Sequence, residues 1–168
     1  MFDRIRYATS DSSLGPIIAA VSDRGLVAFE FAGGPAELRA RFPEAELIED
    51  AAGLADTLHR LAALVDAPAS SPSIPLDMRG SDYQKRVWDL LRAIPAGETR
   101  SYGALAAQLG TRDARDVTDA IAANGIAILI PCHRVVKKDG ALSGYRWGVA
   151  RKRALLAREQ EAAPFRLA

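Results

Sequence analysis

The sequence predicts two units in tandem: an α/β amino-terminal unit with a small antiparallel sheet, then a mostly helical carboxy-terminal unit. Three observations carry this reading. Two apolar runs of β type flank a turn-rich tetrapeptide early in the chain, and a Pro- and Ser-rich stretch interrupts the pattern near its middle. Beyond that stretch, apolar residues recur at helical spacing. The units divide into residues 1–77 and 78–168.

The β-like runs are Pro16 to Val21 and Leu26 to Phe31, and Ser22-Asp23-Arg24-Gly25 between them reads as the turn of a hairpin. Two helices follow, Pro35 to Phe42 and Gly53 to Val65. In the second, Leu54, Leu58, Leu61 and Val65 share one face. Residues 67–73 are a linker by composition. Ser81 then caps a helix whose apolar face is Tyr83, Val87, Leu90, Leu91 and Ile94, ended by Pro95-Ala96-Gly97. Ser101 caps another, Tyr102 to Leu109, stopped by Gly110. A third runs from about Asp113 to Ala123, with Val117, Ala120, Ile121 and Asn124 on one face. Two short helices joined around a glycine are a helix-turn-helix candidate, a pattern that many helical proteins share. Ile126 to Ile130 is a short buried run that leads into Pro131-Cys132-His133-Arg134. A Gly-rich segment, Gly140 to Gly148, precedes a last helix from Val149 to Glu161.

At 168 residues, 49% hydrophobic and 26% charged, the composition is that of an ordinary soluble globular protein. No run approaches the roughly 18 apolar residues of a membrane span. The first residues lack the apolar core of a signal peptide, so a cytoplasmic location is expected. The net charge of +1 hides an asymmetry. Residues 1–77 carry six Lys/Arg against twelve Asp/Glu, and residues 78–168 carry sixteen against nine. Either the basic half meets a polyanion or the charges lie on solvated faces; charge alone leaves both open.

A single cysteine excludes an internal disulfide and a multi-cysteine zinc site. Cys132 is therefore buried filler or a reactive thiol. Its neighbours favour the second. Pro131 stops the buried run and sets the thiol at the mouth of a pocket, His133 is adjacent, and Arg134 adds positive charge. A free thiol has a pKa of about 8.5, so a base or nearby positive charge is needed to generate the nucleophile. Adjacent residues need not face each other, so His133 is expected to act through a water, with a carboxylate fixing its tautomer.

From about Ser81 to Glu159 the sequence resembles the O6-alkylguanine-DNA alkyltransferases, or methylated-DNA–protein-cysteine methyltransferases. The resemblance rests on Ile130-Pro131-Cys132-His133-Arg134-Val135, with Tyr83-Gln84, Val87-Trp88, Ile94-Pro95, Gly97, Thr99 and Ser101-Tyr102 before it. Asn124, Ser143-Gly144-Tyr145-Arg146-Trp147-Gly148, Lys152, Leu155-Leu156 and Glu159 complete it. The tail from Gly140 to Lys152 is similar to the branch found as the C-terminal module of bacterial adaptive-response proteins. The amino-terminal half matches more loosely, and the resemblance implies a ribonuclease H-like fold for it.

The implied activity is repair of double-stranded DNA by transfer of an alkyl group from O6-alkylguanine, and less so from O4-alkylthymine, to Cys132. A thioether is not hydrolysed, so each molecule works once. Cys132, His133 and Glu159 would be catalytic, His133 deprotonating the thiol through a water and Glu159 orienting His133. Asn124 would bond backbone between the recognition helix and the cysteine turn. Tyr102 would rotate the phosphodiester and bond the flipped base, and Arg115 would enter the stack in its place. The backbone around Val135 and Tyr145–Arg146 would line the pocket, with Tyr145 packing against the base, and Trp147, a bulky indole where some relatives have Gly, would narrow it. The resemblance implies a monomer with no cofactor, and the metal site of some members has no ligands in this sequence.

The recognition helix departs from the pattern: Asp116 and Thr118 replace small residues, and Gly110 to Arg115 is one position short with no Pro in the turn. Extra carboxylates near phosphates should weaken duplex binding. Two other classes share parts of this pattern: a non-catalytic lesion-binding or regulatory protein that uses the helix-turn-helix alone, in which the cysteine is replaced, and a cysteine hydrolase, which would turn over.

Overall fold

The structure, a computed structural model, describes residues 3–110, 114–142 and 144–162. The turn at 111–113, the expected helix start at Asp113 and Ser143 lie outside the described residues.

Four strands form the main sheet: β1 (Asp3–Ser10), β2 (Ile17–Val21), β3 (Leu26–Phe31) and β4 (Ala45–Glu49), in the order β3-β2-β1-β4. The β2–β3 hairpin forms where the sequence places it. The sheet is mixed, which corrects the antiparallel expectation: β1 and β2 pair antiparallel, as do β2 and β3, but β4 runs parallel to β1. Sequence reasoning missed β1 and β4 because their apolar signal is sparse. In β1 only Ile5 and Ala8 are buried, and β4 is an acid-rich edge, Ala-Glu-Leu-Ile-Glu. Charged side chains on an edge strand discourage pairing with other chains.

Helix α1 (Pro35–Arg41) buries Leu38 on one face of the sheet, where it joins Ile5, Ile18, Val27 and Phe42. Helix α2 (Ala55–Asp66) packs on the other face through Leu58, Leu61 and Val65. The predicted face is buried as read, and its start falls at Ala55 rather than Gly53.

The remaining elements cover that second face. Helix α3 (Asp82–Arg92) begins with a reciprocal cap: Gln84 N–H donates to the Ser81 hydroxyl, and Ser81 N–H donates to the Gln84 side chain. Strand β5 (Arg100–Ser101) leads into α4 (Tyr102–Leu109), capped by Ser101 and closed by Gly110 at φ 72°, a left-handed position suited to glycine. Helix α5 (Ala114–Ala122) buries Val117, Ala120 and Ile121 against α3 and α4, and the Trp88 indole N–H donates to Ala120 O at 2.9 Å. A 3-10 turn (Cys132–Arg134) runs into β6 (Val135–Val136), and α6 (Val149–Ala162) ends the described chain. No helix among the described residues is long and apolar enough to cross a membrane.

One apolar cluster joins both halves of the chain: Phe29, Phe31, Leu61, Trp88, Leu91, Ile121, Cys132 and Leu155 all belong to it. The edge strand β3 is the seam. Phe29 N–H donates to Gly125 O at 2.9 Å and Ala127 N–H to Phe29 O at 2.8 Å, so the segment before the cysteine docks on that edge. Phe29 is fully buried in this seam. Phe29→Ala should therefore lower the unfolding free energy by about 3–5 kcal/mol. Ile48→Ala, on the exposed edge strand, should change it by less than about 0.5 kcal/mol. Urea denaturation of both variants checks this, and similar losses would place Phe29 outside the shared core.

Candidate active site

The site is assembled where three connections meet: the loop after α5, the 3-10 turn and the buried face of α6. Asn124 organises the loop. Its Oδ1 accepts from Ile126 N–H at 2.9 Å, and its Nδ2 donates to Ile126 O at 3.2 Å and Ile130 O at 2.9 Å. These bonds draw residues 126–130 into a compact curve, so the run is buried but not the extended strand its composition suggests. Ile128 takes φ 66° within it. A β-branched residue rarely adopts this left-handed conformation. Burial of Ile128 at 3% exposure, and the bonds on either side of it, hold it there.

Asn124 Nδ2 also lies 3.3 Å from the Cys132 sulfur, donating to it. Cys132 opens the 3-10 turn and is 4% exposed. Burial is the largest influence on the thiol and pushes its pKa up to about 11. The Asn124 hydrogen bond, the charge of Lys152, the turn's own backbone and the charge of Arg146 all pull the other way, and burial wins. The resting thiol is neutral.

His133 and Glu159 are fully buried and share a hydrogen bond between Nε2 and Oε1. Burial pushes the Glu159 pKa up, but the hydrogen bonds and charges of His133 and Arg134 outweigh it and leave the carboxyl below its usual range. Glu159 is therefore ionised at neutral pH and the imidazole Nε2–H donates to it. Burial also lowers the His133 pKa, opposed by Glu159 and assisted by the charges of Arg134 and Lys152. A neutral imidazole with Nε2 protonated presents Nδ1 as a base, and Nδ1 is buried with no protein hydrogen-bond partner.

Arg134 does not serve as a charge beside the thiol, as its position in the sequence suggests. Its Nε donates to both Glu159 oxygens, at 3.2 and 2.8 Å, and its Nη1 donates to Ile94 O at 2.7 Å. Gly97 N–H donates to Glu159 Oε2 at 3.2 Å. Lys152, part of the sequence motif but given no role there, is fully buried with Nζ donating to Gly144 O at 3.3 Å. Its signal was available: Lys152, Leu155 and Glu159 fall at i, i+3 and i+7, one face of α6.

The other expected residues are placed as follows. Val135 is fully buried in β6, which pairs in parallel with β5 and so brings the start of α4 beside the cysteine turn. Tyr102 is the first residue of α4 and packs on the core. Tyr145 lies close enough to Cys132 for their charges to interact, and burial raises its phenol well above its usual pKa. Trp147 is 7% exposed and meets Tyr145 edge-to-face, ring centroids 5.2 Å apart. Arg146 pairs with Glu30 of β3 at 3.0 Å. Arg115 lies on the exposed side of α5. Among the described residues no group of three or more His, Cys, Asp or Glu could hold a metal ion.

Comparison with known proteins points to one family. The family described as 6-O-methylguanine DNA methyltransferase, DNA binding domain, matches residues 82–161. The bifunctional transcriptional activator/DNA repair enzyme Ada of Escherichia coli K12 is 44% identical over 162 residues. That match covers 94% of this chain and 46% of Ada, so the chain spans about half the length of that relative. The methylated-DNA–protein-cysteine methyltransferase of Mycobacterium bovis is 38% identical, with 95% of each chain covered. Among solved structures, Mycobacterium tuberculosis OGT in complex with DNA superposes with a TM-score of 0.79 at 37% identity, covering 96% of this chain and 95% of that one. On these matches the chain belongs to the methylated-DNA–protein-cysteine methyltransferase family.

Proposed function

We propose that this protein repairs DNA by a single, irreversible transfer of an alkyl group from O6-alkylguanine, and less readily from O4-alkylthymine, to Cys132. One observation carries the reading: the chain's only cysteine receives a hydrogen bond from Asn124, next in sequence to an imidazole paired with a buried, ionised carboxylate. His133 takes the thiol proton through a water at Nδ1, and Glu159 stabilises the imidazolium. The sulfur attacks the alkyl carbon, a C–S bond forms, and the O6–C bond breaks with its electron pair passing to guanine, which is then protonated. The thioether is inert, so there is no turnover.

An O6-alkyl group cannot be reached inside the stack, so the nucleotide must leave it at a cost of a few kcal/mol. In this reading α4 and α5 are a helix-turn-helix that enters the minor groove, which discriminates bases poorly and suits sequence-independent repair. Tyr102 assists rotation of the phosphodiester, Arg115 fills the space of the flipped base, and Val135, Tyr145, Arg146 and Trp147 line the pocket. Exposure of Arg115 and the β5–β6 contact beside Tyr102 support these assignments. Three antiparallel strands, a helix and a fourth strand parallel to the first support a ribonuclease H-like unit over residues 1–77, ahead of an alkyltransferase unit over residues 78–168. The protein is read as a cytoplasmic monomer, bound to the nucleoid when on DNA.

Incubated with an O6-methylguanine oligonucleotide, each molecule should gain one methyl group, about 14 Da, on Cys132. Cys132→Ala should bind the oligonucleotide and never gain mass. Intact mass measured against product yield checks this, and more than one methyl removed per protein would exclude the mechanism.

The exposed Asp116 follows Arg115 on α5 and should repel the phosphates that Lys and Arg neutralise. Asp116→Ala should tighten duplex binding several-fold at low salt, with the gain fading as salt rises. Arg115→Ala should cripple repair in duplex and spare reaction with the free base. A salt titration of oligonucleotide binding separates the cases, and unchanged affinity for Asp116→Ala would turn that face of α5 away from DNA.

A further inference from the structure

Glu30 has no part in the chemistry described above, yet it is a carboxylate only 6% exposed on the edge strand β3. Two guanidinium groups converge on it. Arg146 Nη2 stands 3.0 Å from one oxygen, and Arg41 Nη1, from the end of α1, stands 3.6 Å from the other. Arg146 also donates through Nη1 to the carbonyls of Ala122 and Asn124, each at 3.4 Å. Arg41 lies against the same backbone: a Cβ on Gly125 would sit 1.4 Å from its Nη1, so a side chain there would have to displace the guanidinium. Glu30 thus joins the sheet to the loop that carries Asn124 and to the segment 144–148.

The next residue of β3 grips the next residue of that segment. Phe31 meets Trp147 edge-to-face at 6.3 Å, and Arg151 lies over the Phe31 ring, its guanidinium carbon 5.1 Å from the centroid. Arg151 donates to Trp147 O at 2.9 Å and to Leu14 O at 2.8 Å. Trp147 in turn packs on Tyr145 beside the thiol. A buried ion pair is a costly way to add stability, since apolar residues of similar volume often do as well. What a directional pair adds at this place is position, and the part positioned is the Tyr145–Trp147 pair beside Cys132.

We propose that Glu30 is a positioning residue that limits the size of the electrophile admitted to Cys132, by holding Arg146 and with it the segment that carries Tyr145 and Trp147. The inference rests on the reading of Cys132 as the nucleophile. Without the carboxylate, two neighbouring guanidinium groups repel each other, and both are partly exposed, so Arg146, left with two long bonds to backbone carbonyls and its contact with the Trp147 ring, can turn toward water. Arg146 then releases the segment that carries Tyr145 and Trp147. Glu30→Gln and Arg146→Gln should act in the same direction, and Glu30→Gln should add nothing once Arg146 is replaced, because both remove the Glu30–Arg146 contact.

The test uses the full chain, whose single cysteine gives a clean readout. Rates of Cys132 modification by methyl and benzyl methanethiosulfonate are measured by intact mass for wild type, Glu30→Gln, Arg146→Gln and the double variant. Asp50→Asn, which breaks the exposed Arg6–Asp50 pair, is the control. Both reagents need the same thiolate, so the benzyl-to-methyl ratio cancels any change in ionisation. The ratio should rise roughly tenfold in each single variant and no further in the double, within the coupling range of contacting residues. It should stay at the wild-type value in Asp50→Asn. Arg146→Gln, altered at a partly exposed side chain, keeps the test decisive should Glu30→Gln misfold. An unchanged ratio in the folded single variants, or a double variant equal to the product of the singles, overturns the proposal. The same proteins are given an O6-methylguanine oligonucleotide. Methyl uptake by wild type with unchanged ratios rejects the role of Glu30 alone, whereas shifted ratios without methyl uptake reject the repair reading and leave Glu30 as gatekeeper.

Discussion

The buried carboxylate of Glu159 is the interaction on which the rest of the site depends. A charge with no exposure to water costs several kcal/mol unless it is paired and hydrogen-bonded. Glu159 meets that demand from three directions: the imidazole of His133, the guanidinium of Arg134 and the backbone N–H of Gly97. The contacts come from separate parts of the chain. His133 and Arg134 belong to the cysteine turn, Gly97 to the turn after α3, and Glu159 itself to α6. Arg134 extends the network to Ile94 O, and Gln160 donates to Gly97 O at 2.7 Å. Three connections that share no sequence neighbourhood are thus registered by one charge, and the thiol is positioned as a result.

On the proposed mechanism, the same arrangement lets a neutral thiol serve as the nucleophile. Cys132 is too deeply buried to hold a thiolate at rest, with its pKa pushed up to about 11. The groups that favour the anion, Asn124, Lys152 and Arg146, are already in place around it, so no reorganisation is needed as negative charge develops on sulfur. In the proposed mechanism the proton is removed when the electrophile is present, and a neutral His133 backed by an anionic partner is suited to accept it. A thiol that is masked until its substrate arrives is protected from oxidation and stray alkylation.

Much of this was legible in the sequence, and the misses have physical causes. The helices of the second half announced themselves through Ser81, Ser101 and Gly110, residues whose local hydrogen bonding or backbone freedom fixes a terminus wherever the rest of the chain goes. The cysteine turn, Asn124 and Glu159 followed from the motif that carries them. Strands β1 and β4 were invisible because an edge or half-exposed strand needs few apolar residues, and their pairing is decided by partners far along the chain. The role of Arg134 was misjudged because adjacency in sequence says little about direction in a 3-10 turn. Glu30 gave no signal at all: within a β run a lone carboxylate reads as a solvated position, and only the approach of Arg41 and Arg146 from distant elements buries it. Lys152 was within reach, since a lysine on the apolar face of the last helix is anomalous by periodicity alone.

The central claim is that the Glu159 carboxylate makes His133 able to accept the Cys132 proton, and the pH profile of alkyl transfer tests it most directly. The rate of Cys132 methylation by an O6-methylguanine oligonucleotide would be followed across pH for wild type and Glu159→Gln, both checked for folding. A neutral amide cannot stabilise the imidazolium, so the His133 pKa falls further and the proton leaves sulfur less readily. The Glu159→Gln profile should therefore move to higher pH, with a loss at neutral pH within the roughly 10²–10⁴ typical of an acid–base group. Superimposable profiles from the two folded proteins would contradict the claim and leave Glu159 a structural anchor alone.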